Sequence, residues 1–301
     1  MINFIIIFLC LSAGILAQRY LHLPKDSYKA INTWLIYIAL PAISFRYLPH
    51  IQFTSNLLLP AIAPIIVWLG GWVFSHYYGK ANQLPRLSIG SMKLSTGLSN
   101  TSFIGFPLVA AYFGEEQIGI AIICDQITFL LLATAAIIVA IRSSGKHELS
   151  FLLMMRKIFT FPALPACIVA LVLPRFINIS PVEPLFEKLA STVAPLALFS
   201  IGLQLDFTGW RSERKHITAA LLYKLILAPA LVLIVALILQ LKGIEARIGI
   251  FEAAMATLVS SGIVVAQYEL DKKLSGLIIG VGILFSFITT ALWYWVIVQL
   301  L

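Results

Sequence analysis

Residues 94–107 (Leu-Ser-Thr-Gly-Leu-Ser-Asn-Thr-Ser-Phe-Ile-Gly-Phe-Pro) constrain this chain more than any other stretch. They hold six hydroxyl or amide side chains, two glycines and a proline, inside a sequence that is 60% hydrophobic and 11% charged. Pro107 has no amide donor, and its ring crowds the preceding turn. Gly97 and Gly105 weaken a helix further. A membrane helix that runs unbroken is not written this way; one that stops at mid-membrane and restarts is. Backbone groups freed in a bilayer are costly unless protein or a water-filled cavity satisfies them. Such a break therefore marks a binding site, and helices interrupted near the bilayer midplane are characteristic of secondary transporters.

The surrounding sequence has the character of a membrane protein. A soluble domain is roughly half apolar and about a quarter charged, far from the values here. A helical span takes about 20 residues, and ten can be read at 2–18, 27–48, 57–78, 88–113, 118–141, 158–174, 184–205, 217–239, 246–268 and 274–299. No stretch remains for a soluble domain. The N-terminal run has no basic segment and no good cleavage signal, so it is expected to stay as a first span. Cys10, Cys124 and Cys167 lie far apart in apolar runs and read as free thiols. The five histidines have no metal-ligand spacing, and no Walker loop, GxSxG elbow, HExxH or dinucleotide fingerprint is present.

The net charge of +8 does not indicate nucleic acid, because the basic residues sort by alternate loops. One set holds 14: Arg19, Lys25, Lys80, Arg86, Lys93, Arg142, Lys146, Arg156, Lys157, Arg211, Arg214, Lys215, Lys272 and Lys273. The opposite set holds three, Arg175, Lys242 and Arg247, while Lys29, Arg46, Lys188 and Lys224 fall in or at the ends of spans. This bias predicts the basic loops in the cytoplasm and both termini outside, in a cytoplasmic (inner) membrane. Membrane lipids are the expected partners of the surplus charge, and a homodimer is a further expectation. Arg46 and Lys188 are expected to snorkel at outer span ends. Trp293, Tyr294 and Trp295 are expected to form an outer aromatic belt.

The connection 142–157 divides the chain into a first repeat, 1–141, and a second, 158–301. Five spans is an odd number, so a second copy must enter the membrane from the opposite side. Internal echoes agree. Pro41 in the second span and Pro195 in the seventh are 154 residues apart. The fourth span breaks at 97–107, and the ninth has the small, polar run Thr257-Leu-Val-Ser-Ser-Gly262. Matching interruptions in two halves point to an inverted-repeat binding site.

The candidate substrate residues are Asn100, Thr101, Ser102, Gly105 and Pro107 from the first break, with Ser260, Ser261 and Gly262 from the second. Pro107 is expected to open the restarted half-helix, whose free N–H groups and partial positive charge suit a carboxylate. Ser, Thr and Gly at such places also serve close helix packing. Asp125, in the apolar run of span five, is costly there unless it faces the protein interior or is protonated. Lys224 of span eight is the lysine placed to meet it, and the pair is expected to handle coupling or charge balance. Glu252, early in span nine, either lines an outer vestibule or snorkels.

Three segments resemble the auxin efflux carrier family and its bacterial permease relatives: Gly97–Gly114, Ala194–Leu205, and Tyr223-Lys224 with Pro229. The resemblance implies an all-α polytopic protein of ten spans in two inverted five-helix repeats, with crossed, broken fourth and ninth helices, an architecture shared with bile acid symporters and sodium/proton antiporters. It implies a scaffold from 2–48 and 158–205 and a transport unit from 57–141 and 217–299. The family often has proline where Thr257 stands, so the second break is expected to be milder. Asp125-Gln126 is not the twin-aspartate pair of sodium/proton antiporters, which argues against simple cation exchange. Without the long central loop of plant members, the chain resembles permeases for malonate, malate and other organic anions.

The expectation is therefore a secondary transporter of a small organic anion, working by elevator-type alternating access with a proton or, second, Na+ as coupling ion. A sodium-coupled symporter of the same fold is the nearest rival. An intramembrane lipid-modifying enzyme would need acidic clusters or His/Asp pairs at the membrane face, and these loops offer mainly lysine and arginine. A passive channel would need a continuous polar stripe.

Overall fold

The computed structural model describes residues 2–21, 23, 24, 26–51, 54–145, 162–205 and 207–301. Most of the expected 142–157 connection, and the start of the second repeat at 158, lie outside the described residues, as do Lys25, Lys146, Arg156 and Lys157. Among the described residues the chain is all-helical, apart from one isolated antiparallel bridge between Ser99 and Thr257. Six of the described helices are long and apolar enough to cross a membrane. They are α1 (Ile2–Tyr20), α3 (Ser55–Ala81), α6 (Glu115–Ser144), α8 (Ser180–Gln204), α9 (Trp210–Ile238) and α12 (Lys272–Leu300). The others are α2 (27–47), α4 (Arg86–Gly97), α5 (Thr101–Tyr112), α7 (Ala163–Arg175), α10 (Ile244–Ala253) and α11 (Val259–Gln267).

Proline explains most irregular turns inside these helices. A proline cannot donate to the carbonyl four residues back, and its ring clashes with it. Widening the turn to i→i+5 moves that carbonyl aside. Three wide turns, Leu35–Ala39, Thr101–Gly105 and Tyr223–Leu227, each end two residues before a proline: Pro41, Pro107 and Pro229. The displaced carbonyls are those of Tyr37, Phe103 and Leu225. A fourth wide turn, Leu132–Ala136, has no proline after it. There Thr134 donates its hydroxyl back to the Leu130 carbonyl at 2.6 Å, competing with the helical ladder.

The Leu225 carbonyl recovers a donor from another helix, the Trp293 indole N–H at 2.8 Å. This corrects the expected aromatic belt. Trp293 is 9% exposed and turned inward, whereas Trp295 stands exposed.

Three helix ends close on a non-glycine residue at positive φ. Gln83, Gln240 and Glu269 have φ near 54°, and the leucine after each donates to a carbonyl five residues back. Each closure uses up one orphan carbonyl and tucks a leucine (Leu84, Leu241 or Leu270) beside its helix.

The described helices fall into two compact units, one of Met1–Phe53, Ser102–Ile122 and Phe159–Leu205, the other of Thr54–Thr101, Ile123–Ile158 and Asp206–Leu301. In the first, α1 lies along Val193–Gln204 of α8 at a glycine contact. A Cβ on Gly202 would stand 2.5 Å from the Leu11 carbonyl oxygen and 2.8 Å from the Gly14 Cα. Membrane helices gain little from the hydrophobic effect against each other, so close backbone approach through small residues does the packing. Ser200 donates to Asn32 Oδ1 at 2.6 Å within the same unit. Arg46 does not simply snorkel; it meets Glu183 Oε1 at 3.0 Å.

In the second unit α3 and α4 meet at Gly71 and Gly97, where an added Cβ on Gly71 would stand 2.9 Å from the Gly97 Cα. Thr96 adds polar contacts to the same seam, pairing with Ser75 at 2.9 Å and donating to the Gly71 carbonyl at 3.2 Å. The Tyr223 hydroxyl donates to the Val67 carbonyl at 2.8 Å. Two apolar clusters flank this seam, one around Trp68, Leu98 and Leu258, the other around Met92, Leu221 and Ile278.

Candidate functional site

The second unit contains two interrupted helices whose interruptions face each other. α4 ends at Gly97 and the chain becomes extended at Leu98. α10 ends at Ala253, and helix resumes at Val259. The two short linkers run antiparallel, with the Asn100 amide donating to the Ala256 carbonyl at 2.8 Å and the Leu258 amide to the Leu98 carbonyl at 3.0 Å. Backbone groups that each break would orphan thus satisfy one another.

The carbonyl ends of both half-helices also find side-chain donors. Thr257 donates its hydroxyl to the Ser95 carbonyl, in the last turn of α4, at 2.6 Å. Lys224 donates to the Ala253 carbonyl, the last of α10, at 3.0 Å and to Ser99 Oγ at 2.7 Å. A cation at a helix C-terminus complements the dipole, and this ammonium is fully buried. Thr257 therefore does not make the second break milder. Its hydroxyl supports the interruption, and five residues between Ala253 and Val259 leave the helix.

The expected site residues are placed as follows. Asn100 and Thr101 are buried in the crossover, and Thr101 donates to Asp125 Oδ1 at 2.6 Å. The helix after the first break resumes at Thr101, six residues before Pro107, because the wide Thr101–Gly105 turn absorbs the proline. Ser102, Gly105 and Pro107 are buried and belong to the first unit. Pro107 borders a cavity of about 420 Å³ in that unit, lined also by Asn3, Arg46, Tyr47, Glu115 and Glu187. Ser261 folds its hydroxyl onto the Leu258 carbonyl at 2.7 Å, while Ser260 and Gly262 are half-buried in the first turn of α11. Lys224 and Asp125 were expected to meet. Lys224 instead donates to Ser99 and Ala253, and the carboxylate in its electrostatic reach is Glu252.

Glu252 neither snorkels nor lines an exposed vestibule. It is 1% exposed, one residue before the end of α10, with Asp125 and Lys224 in electrostatic range. The signal for it in the sequence was a lone carboxylate in the apolar run 248–256, five residues before Thr257. Ser99 was missed as the lysine's partner, although it lies inside the polar run 94–107. Among the described residues no group of three metal-ligating side chains occurs, and none of Cys10, Cys124 and Cys167 forms a disulfide.

A family of membrane transport proteins matches residues 1–294. The chain belongs to that membrane transport protein family, the auxin efflux carrier-like family its sequence resembles. The relatives similar to this membrane transport protein include an uncharacterised transporter of Methanocaldococcus jannaschii, 26% identical over 304 residues and covering 98% of each chain. Another, of Methanothermobacter thermautotrophicus, is 23% identical over 279 residues, covering 90% of this chain and 89% of its own.

Proposed function

We propose that this membrane transporter carries a small organic anion by elevator-type alternating access, with proton coupling. The observation that carries the reading is the buried crossover. Its carbonyl ends already have donors in Thr257 and Lys224. Beside these stand the N-terminal end of the resumed helix at Val259, the buried side chains of Asn100 and Thr101, and the buried Lys224. The first amides of a helix have no intrahelical acceptor, and with the helix dipole they favour an anion. Ser260, Ser261 and Gly262 stand in that first turn, and Ser102, Gly105 and Pro107 follow Thr101 along the chain.

The same reading takes the helices as ten spans in two inverted repeats. The offsets support it: α4 ends at 97 and α10 at 253, 156 residues apart, while helix resumes at 101 and 259, 158 apart. It also takes the basic loops as cytoplasmic and both termini as outside.

The test is a thermal-shift screen of the purified protein against mono- and dicarboxylates, at two pH values and with or without Na+, followed by uptake into proteoliposomes. A ligand that prefers the native state raises the melting temperature by mass action. The expected outcome is stabilisation by one class of carboxylate, lost in Lys224→Met, with uptake that follows a pH gradient. Stabilisation only by uncharged solutes or lipids, with no carboxylate taken up, would refute the reading.

A further inference from the structure

Glu252 is the buried group that the crossover's architecture does not use. Both of its carboxylate oxygens are fully buried, and neither has a hydrogen-bond partner. Around it, Lys224 is held by Ser99 and Ala253, Thr257 by Ser95, and Asp125 accepts from Thr101. A buried polar side chain without partners is rare enough in folded proteins to call for a ligand.

The charges say which ligand. Glu252 has Asp125 and Lys224 in electrostatic range, with the Cys124 thiol beside them. Of the other described elements packed on α10, α9 also carries Tyr223, whose hydroxyl is taken up by the Val67 carbonyl. α3 presents Leu59 and Pro60 at Gly249, and α12 carries no ionisable side chain between Lys273 and Tyr294. On its own helix Arg247 lies five residues upstream, half-buried. Asp125 is a like charge beside Glu252, and a second buried negative charge in such a place is expensive. Asp125 accepts a short hydrogen bond from Thr101, an interaction that suits an ionised carboxylate. Glu252 accepts none.

We propose that Glu252 is the proton-carrying group of the transporter: one of its oxygens binds a single H+ as an O–H bond when the site is closed and releases it, leaving the carboxylate, when the crossover opens to water. This rests on the transporter reading and moves the coupling role from Asp125 to Glu252. Asp125 holds Thr101. With one site, one proton accompanies each turnover.

The protonated acid can be seen without any substrate. Infrared difference spectra of the purified full-length protein in lipid, recorded across a pH titration, should show a carboxylic-acid C=O band that is bleached at high pH. It should be absent in Glu252→Gln and retained in Asp125→Asn. The reverse pattern, or a band unchanged in Glu252→Gln, overturns the proposal. So does Na+ raising the wild-type melting temperature at fixed pH with the rise lost in Glu252→Gln, since the bound cation is then sodium. A carbodiimide, which adds to protonated buried carboxyls, keeps the test independent of variant folding: mass spectrometry of the wild type should find the adduct on Glu252, and an adduct on Asp125 instead refutes the assignment. In proteoliposomes, Glu252→Gln should retain anion counterflow while its uptake under an imposed pH gradient falls to the no-gradient rate. If the wild type moves no carboxylate, the transporter reading fails while the infrared band still decides where the proton sits.

Discussion

Replacing Thr257 by valine keeps the side-chain volume and removes one hydroxyl. That hydroxyl donates to the Ser95 carbonyl at 2.6 Å. The helical partner of Ser95 would be the amide of residue 99, which lies beyond the end of α4 at Gly97. The carbonyl is therefore left orphaned, and Ser95 is fully buried. Leaving a buried acceptor unsatisfied costs about 1–3 kcal/mol. Hydrogen bonds inside membrane proteins average nearer ~0.6 kcal/mol, because the unfolded chain in lipid also finds partners. A helix end has fewer substitutes than a mid-helix group, so about 1–2 kcal/mol is expected. For a chain this large each kcal/mol shifts the melting temperature by about 2–4 °C, giving a fall of roughly 2–8 °C by that scaling.

Two companions make the assay specific. Thr257→Ser keeps the donor and should melt close to the wild type. Thr257→Pro loses the hydroxyl too, but the two rungs between the linkers use the Asn100 and Leu258 amides and the Leu98 and Ala256 carbonyls, none of them from residue 257. It should therefore match valine. Thermal melts of the four purified proteins in one detergent measure this. Valine melting with the wild type, or proline far below valine, would refute the reasoning.

Gly202→Ala should lower the melting temperature sharply or abolish folding, since its methyl would meet the Leu11 carbonyl oxygen at 2.5 Å, whereas Gly276→Ala, with nothing within 4 Å, should be neutral or stabilising. Trp293→Phe should cost about 1 kcal/mol by orphaning the Leu225 carbonyl. In a Pro229→Ala background, where residue 229 regains its amide, a double-mutant cycle of melts should show that cost shrink. Asp125→Asn exchanges a charge-assisted hydrogen bond for a neutral one, worth about 1–2 kcal/mol, so the melting temperature should fall by about 2–4 °C per kcal/mol lost, and carboxylate uptake should slow. A phosphatase fused after Leu301 should be active outside the cytoplasm, and a fluorescent protein fused there should stay dark; the opposite result reverses the proposed orientation.

The polar run 94–107 was enough to locate an interrupted helix, because those residue types cannot sustain an unbroken span in lipid. It did not locate the break within the run. Gly97 marks the stop because its flank is pressed against Trp68 and Gly71, and the linker is held by a segment more than 150 residues away. Pro107 looked like the point of restart, yet a wide turn lets the helix begin at Thr101. The second interruption was harder to see, since no proline announces it and the Thr257 hydroxyl acts across the fold. Glu252 was undecidable locally: a carboxylate near a span end snorkels or is buried according to what packs over it. Lys224 drew attention as a buried lysine, but an extended run of apolar neighbours cannot say that its partners are a serine and a helix end.

The two rungs that join the linkers are made of main chain alone. No single side-chain exchange unties them, so the joint persists while the groups around it change. A lineage can thus rewrite the side chains at the crossing point, residue by residue, and keep the backbone joint itself.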